Sequence, residues 1–173
     1  VSNEPPSPRL WAKSENGRHT IQIQRNALMV NWERDLSKPS EPYIPFDDRR
    51  RGFEAKLTKL DEFFRCEEMG QVEPTSCFVT YVNYIECEIE TESYASVIRR
   101  TLTMWQNTTS DDWFPGVELA TVKFSAVLPE EQGRLHVNAV PGVRYRDKKN
   151  ILRLELTARG KPLEGSIDAS LSW

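Results

Sequence analysis

Ile21-Gln22-Ile23-Gln24-Arg25-Asn26-Ala27-Leu28-Met29-Val30-Asn31-Trp32 is the stretch whose pattern decides how this chain folds. Ile21 and Ile23 alternate with Gln22 and Gln24, Arg25-Asn26 supplies turn chemistry, and Leu28, Val30 and Trp32 share one face against Met29 and Asn31. Successive strand side chains point to opposite faces, so a period of two on both sides of a two-residue break is a β-hairpin. Gln22 and Gln24 then lie opposite the isoleucines, where amides pair across strands or grip an extended peptide. Trp11 and Trp32 are expected to anchor the core beside them.

Upstream, residues 1–8 form a proline-bearing leader expected to be flexible, Arg9 to Ser14 reads as a short strand, and Glu15-Asn16-Gly17 reads as its turn. Downstream, a polar, proline-rich connection from Leu36 to Pro45 leads to a helix predicted over 46–66, where Phe53, Leu57, Leu60 and Phe64 recur at helical spacing. Asp47 and Asp48 fall in its first turn and complement the helix dipole. Residues 77–89 read as the longest strand, with Cys77, Val79, Tyr81, Ile85, Cys87 and Ile89 on one face. Asn83 interrupts that face; buried there, it needs hydrogen-bond partners, so it either ties the sheet to a loop or lines a cavity.

Tyr94, Val97, Ile98, Leu102 and Trp105 describe a second helix, followed by a loop, residues 111–116, that presents Trp113 and Phe114. Three strands follow, marked by Ala120, Val122, Phe124 and Ala126, by Leu135, Val137 and Ala139, and by Leu152, Leu154, Leu156 and Ala158. Their turns are expected at residues 130–133 and either at Pro141-Gly142 or at residues 147–150. Gly165-Ser166 reads as a turn and N-cap that opens a third helix through Ile167, Leu171 and Trp173. The expected fold is α+β: a curved antiparallel sheet of about seven strands with two or three helices on one face, in an order compatible with a pseudo-duplicated strand-helix-three-strand-helix unit. Residues 9–173 are expected to form a single α+β domain with halves at 9–70 and 75–173. Because the chain begins at Val1 and stops where a helix begins, it is expected to be a fragment of a longer one.

The chain has 173 residues and a net charge of −3, with 38% hydrophobic and 28% charged residues, which is globular composition with no general attraction to nucleic acid or anionic membrane. No apolar run approaches the ~20 residues of a membrane helix and residues 1–9 carry no signal core, which points to the cytoplasm. Cys66, Cys77 and Cys87 lack metal-ligand spacing and read as reduced thiols, and His19 and His136 have no ligand neighbour, so neither metal nor cofactor is expected. No Gly-x-Ser-x-Gly elbow or phosphate-cradling glycine loop occurs, which argues against an ordinary enzyme. Asn107-Thr108-Thr109 matches a glycosylation sequon that matters only in a secretory compartment. The basic clusters Arg49-Arg50-Arg51, Arg99-Arg100 and Arg144 to Lys149, the last around Tyr145, are the nucleic-acid candidates, and Asp147 with the overall acidity sets them aside.

Pro8-Arg9-Leu10-Trp11, then Gln22-x-Gln24 and Asn31-Trp32, resembles an uncharacterised, sporadically distributed bacterial protein family with a Pro-Arg-aromatic, Gln-x-Gln, Asn-Trp pattern. Tyr43-x-Pro45-Phe46 with Phe53, and Tyr81-x-Asn83-x-Ile85, resemble its later segments. The resemblance implies a bacterial cytoplasmic protein whose relatives are longer at both ends, and it implies no activity.

With no catalytic signature, the function expected is a non-enzymatic binding or regulatory module that recognises a protein partner, with Gln22, Gln24, Asn31, Trp32, Tyr81, Asn83, Trp113, Phe114 and Tyr145 as candidate contacts. The alternative is a small-molecule pocket between the curved sheet and helices, lined by Trp32, Tyr81 and Asn83, as a binding site or an enzyme's.

Overall fold

The computed structural model describes residues 8–35, 37–38, 40, 42–88, 92–102 and 119–162. Its elements are β1 (Arg9–Lys13), β2 (His19–Gln24), β3 (Ala27–Trp32), α1 (Phe46–Cys66), β4 (Cys77–Glu86), α2 (Tyr94–Thr101), β5 (Val122–Val127), β6 (Gly133–Val143) and β7 (Asn150–Gly160). The fold is α+β, with two antiparallel sheets ordered β1-β2-β3 and β4-β7-β6-β5. The single curved seven-stranded sheet expected above is therefore replaced by sheets of three and four strands. Alternation identifies strands but not their pairing, and tight turns dictate pairing only within β1-β2-β3 and β5-β6-β7. Strand β4 enters its sheet by a non-sequential ladder on β7, which no local signal announces. The chain divides into two compact units, Val1–Val72 and Glu73–Trp173.

In the first unit the hairpin register is Ile21 opposite Val30 and Ile23 opposite Leu28, so the apolar alternation sets the pairing. Gly17, at φ +69°, closes the β1–β2 turn, where its N–H donates to the Ser14 carbonyl at 2.8 Å. Helix α1 covers the residues that its apolar spacing predicts, with Leu57 buried and Phe53, Leu60 and Phe64 half-buried. Asp61, also buried, accepts from the Val72 N–H at 2.7 Å and pairs with Arg65 at 2.8 Å, which fixes the chain's return beside the helix. Trp11 is 59% exposed and anchors no core, contrary to expectation, because its β1 position is at the edge of a three-stranded sheet.

In the second unit, Val97 and Ile98 of α2 and Val137, Ala139, Leu152 and Leu154 of the sheet, with Cys87, make the core. Ser93 caps α2 by accepting from the Ser96 N–H at 3.2 Å. Strands β6 and β7 run on through Pro141 and Gly142, so the turn is at residues 144–149 and not at Pro141-Gly142. At the other end of that ladder, a Cβ on Gly133 would sit 2.2 Å from the Arg159 carbonyl oxygen, so only glycine lets β6 start there. Burial of Cys87 pushes its thiol pKa up, whereas Cys66 is exposed and Cys77 half-buried, so a single cysteine of the three is a core thiol. Ile89, Trp105, the 111–116 loop and the helix expected from Gly165 onward lie outside the described residues.

Candidate binding surface

Four strands of the second unit place every second residue on the face opposite α2. Across β5, β6, β7 and β4 the register sets Val127, Arg134, Arg159 and Phe78 in one row and Ser125, His136, Thr157 and Thr80 in the next. The third row is Lys123, Asn138, Glu155 and Val82, and the fourth Val140, Arg153 and Tyr84. The hydroxyl row is hydrogen-bonded pairwise: Ser125 Oγ lies 2.7 Å from His136 Nδ1, and the Thr80 and Thr157 hydroxyls are 2.9 Å apart. A serine-imidazole contact has the look of a hydrolytic pair, but both side chains are exposed on an open sheet and no carboxylate orients the imidazole among the described residues. Sequence reading missed this pair, because the two residues are joined only by the β5–β6 register.

Large apolar side chains stand out of this face: Phe78 is 50% exposed, Tyr84 48% and Val82 42%. All three belong to β4, whose outer edge no described strand covers. Tyr81 and Asn83 lie on the other side of β4, and both are exposed, so Asn83 is not the buried asparagine expected. Among the described strands only β7 pairs with β4; the eight-residue α2 buries the middle of the sheet and reaches β4 at its end, where Arg100 donates to the Glu86 carbonyl at 3.3 Å.

At the β6–β7 turn, Tyr145 is 88% exposed with the Lys148 ammonium 4.1 Å over its ring. Two cations of the basic run around it are matched by carboxylates. Arg144 donates through Nε to Asp147 at 2.8 Å and through Nη2 to Glu86 at 2.6 Å, and Lys149 reaches the second Glu86 oxygen at 2.8 Å. The hydrogen bond from Arg144 holds the Asp147 carboxyl down at about 2, against an ordinary 3.8, and Lys149, then Arg144, lower Glu86. A carboxyl depressed in the folded chain contributes stability above its ordinary range and loses that contribution as it protonates. Stability is thus expected to fall as pH drops from about 4 to about 2, and Asp147→Asn should flatten part of that fall in urea melts taken across the interval. An unchanged slope in the variant would remove Asp147 from the account.

The remaining candidates are in the first unit. Gln22 is buried between Trp11 and Met29 in the register, so it serves the sheet and is closed to a peptide; Gln24 is half-buried and Asn31 exposed. Trp32 is the centre of a stack that sequence spacing could not show. The Arg49 guanidinium lies 3.4 Å from its ring centroid and 5.0 Å from that of Tyr43, and the two rings meet edge to face at 6.1 Å. Arg49 Nε donates to the Ile44 carbonyl at 3.0 Å, whereas Arg49 Nη2 and Trp32 Nε1 are buried without a hydrogen-bond partner among the described residues. Trp32 and the pair Tyr81 and Asn83 therefore belong to different units. Trp113 and Phe114 lie outside the described residues.

No family model, no curated protein and no solved structure matches this chain. The resemblance to the bacterial family thus rests on its short motifs alone. Among the described residues no helix is long and apolar enough to cross a membrane, and no three His, Cys, Asp or Glu side chains gather as metal ligands.

Proposed function

We infer that this chain is a non-enzymatic binding module that recognises a protein partner, and that the partner adds an extended segment to the outer edge of β4. The observation that carries this reading is the undefended character of that edge. Exposed strand edges are templates for pairing, and proteins ordinarily blunt them with lysine, proline, a bulge or short length. Strand β4 runs ten residues in unbroken register with β7, contains no lysine, proline or glycine, and has its only charge at its last residue, Glu86. The opposite edge, β5, is shorter, at six residues, and carries Lys123. An added strand would satisfy the backbone groups of β4 while Phe78, Val82 and Tyr84 supply alternate-side-chain contacts on one face. The resemblance of the short motifs supports a bacterial, cytoplasmic setting for this activity.

Peptides selected from a displayed library against the folded chain are expected to protect amides of residues 77–86 from hydrogen exchange. Val82→Lys should abolish that protection while leaving stability within about 0.5 kcal/mol, since the side chain is largely exposed. Selected peptides that bind with protection elsewhere, or with undiminished affinity for Val82→Lys, would sink the reading.

A further inference from the structure

The basic clusters that stand out in the sequence are partly taken up by the fold. Arg49 is stacked on Trp32, Arg51 pairs with Asp48, Arg100 with Glu92, and Arg144 with Asp147 and Glu86. Further cations, isolated in sequence, converge on the second unit's sheet. Lys123, Arg134, Arg153 and Arg159 share the face opposite α2, against Glu155 as the one carboxylate of the four rows, which pairs with Arg153 at 2.5 Å. A chain of net charge −3 thus presents a positive face. Arg134 and Arg159 stand directly opposite one another in the β6–β7 ladder, both exposed and without an ion-pair partner among the described residues. Like charges in that position destabilise a sheet unless an anion lies between them.

The aromatics are placed to match. Phe78 is directly opposite Arg159, and Tyr84 directly opposite Arg153, six residues and about 20 Å further along the strands. Each exposed ring therefore stands beside a guanidinium, and the Thr80–Thr157 hydroxyl pair lies between the two sites. We propose that this face binds single-stranded nucleic acid, with bases stacked on Phe78 and Tyr84 and phosphates on Lys123, Arg134 and Arg159. Stacking on rings that lie on an open sheet requires unpaired bases, which selects a single strand over a duplex. An acidic polypeptide would satisfy the cations but has no use for a ring beside each arginine. The proposal goes beyond the protein-binding reading: it shares Phe78 and Tyr84 with that reading, but its cations, Lys123, Arg134 and Arg159, stand on β5, β6 and β7, away from the β4 edge.

The test is fluorescence anisotropy of a labelled oligouridylate of about twelve nucleotides with the full chain at about 50 mM salt, with an equal-length duplex and poly-glutamate as competitors. Micromolar binding is expected, weakened about twentyfold at about 200 mM salt if three phosphates are neutralised. Arg134→Glu with Arg159→Glu should weaken it at least about tenfold, and Phe78→Ala or Tyr84→Ala each about fivefold or more. All four side chains are solvent-facing, and unchanged melting curves would establish that the variants are folded. No binding by the wild-type chain at about 50 mM salt would overturn the proposal. So would displacement by poly-glutamate or the duplex as effective as by unlabelled oligouridylate, together with undiminished binding by the alanine variants; that pattern would assign the face to acidic partners in general.

Discussion

Leu152→Ala is expected to lower the stability of the second unit by about 2–5 kcal/mol, the cost of removing a leucine side chain from a site that cannot collapse around the gap. Leu152 has no solvent exposure, and it stands on β7 with Ile85 and Pro141 directly opposite on the two flanking strands. It belongs to the same cluster as Val97 and Ile98 of α2, both also fully buried, so a cavity at Leu152 loosens the helix and three strands together. At roughly 4–8 °C for each kcal/mol in a unit of this size, the melting temperature should fall by about 10 °C or more. Hydrogen exchange should accelerate across β6 and β7 while β2 and β3 are less affected. A loss below about 1 kcal/mol would mean that the core is not organised around this residue.

Trp32→Ala is expected to have the largest effect in the first unit, about 2–3 kcal/mol, less than for a fully buried tryptophan because the ring is half-exposed. The ring is where β3, the segment holding Tyr43 and the first turn of α1 meet, through the Arg49 guanidinium at 3.4 Å. Its removal deletes the cation–π contact and leaves Arg49, whose Nη2 is already buried without a hydrogen-bond partner among the described residues, with less to pack on. Trp32→Phe separates packing from polarity. It keeps an aromatic face for Arg49 but removes the indole N–H, a buried donor whose lack of a partner costs about 1–3 kcal/mol, so the net change should be within about 1 kcal/mol of zero. Thermal melts of both variants, with exchange of the β2 and β3 amides, decide it. Equal destabilisation by phenylalanine and alanine would show that the indole N–H, not the ring face, is what the unit needs.

These two sites differ in how far they could be read without coordinates. Leu152 follows from the alternation Leu152, Leu154, Leu156, which marks an inward face wherever the strand happens to pair. Trp32 was legible as an inward hairpin residue, but its partner was not, since Arg49 read only as part of a basic run. The same limit explains Asn83. Its place among Tyr81 and Ile85 predicts burial, yet β4 is an edge strand and that part of its face is open. Gln22 fails in the opposite direction: polar and expected to face a ligand, it is buried in the central strand of its sheet.

Local pattern alone determined that this chain is α+β, where its hairpin turns at Arg25-Asn26, and that a long helix covers 46–66, because strand and helix periodicities are written in neighbouring residues. It also determined the inward face of the central strands β6 and β7, though not that of β2, where Gln22 is buried. Only the tertiary structure decided that the seven described strands divide into two sheets and that β4 reaches β7 with its other edge unpaired by any described strand. It alone brought Lys123, Arg134, Arg153 and Arg159 to one surface while pairing Arg51, Arg100 and Arg144 of the basic runs with carboxylates. The reason is physical: periodicity reports the side of an element on which a residue lies, whereas charge balance, edge exposure and ring stacking depend on which elements become neighbours, and pairs such as Phe78 and Arg159 meet through strands distant in the chain.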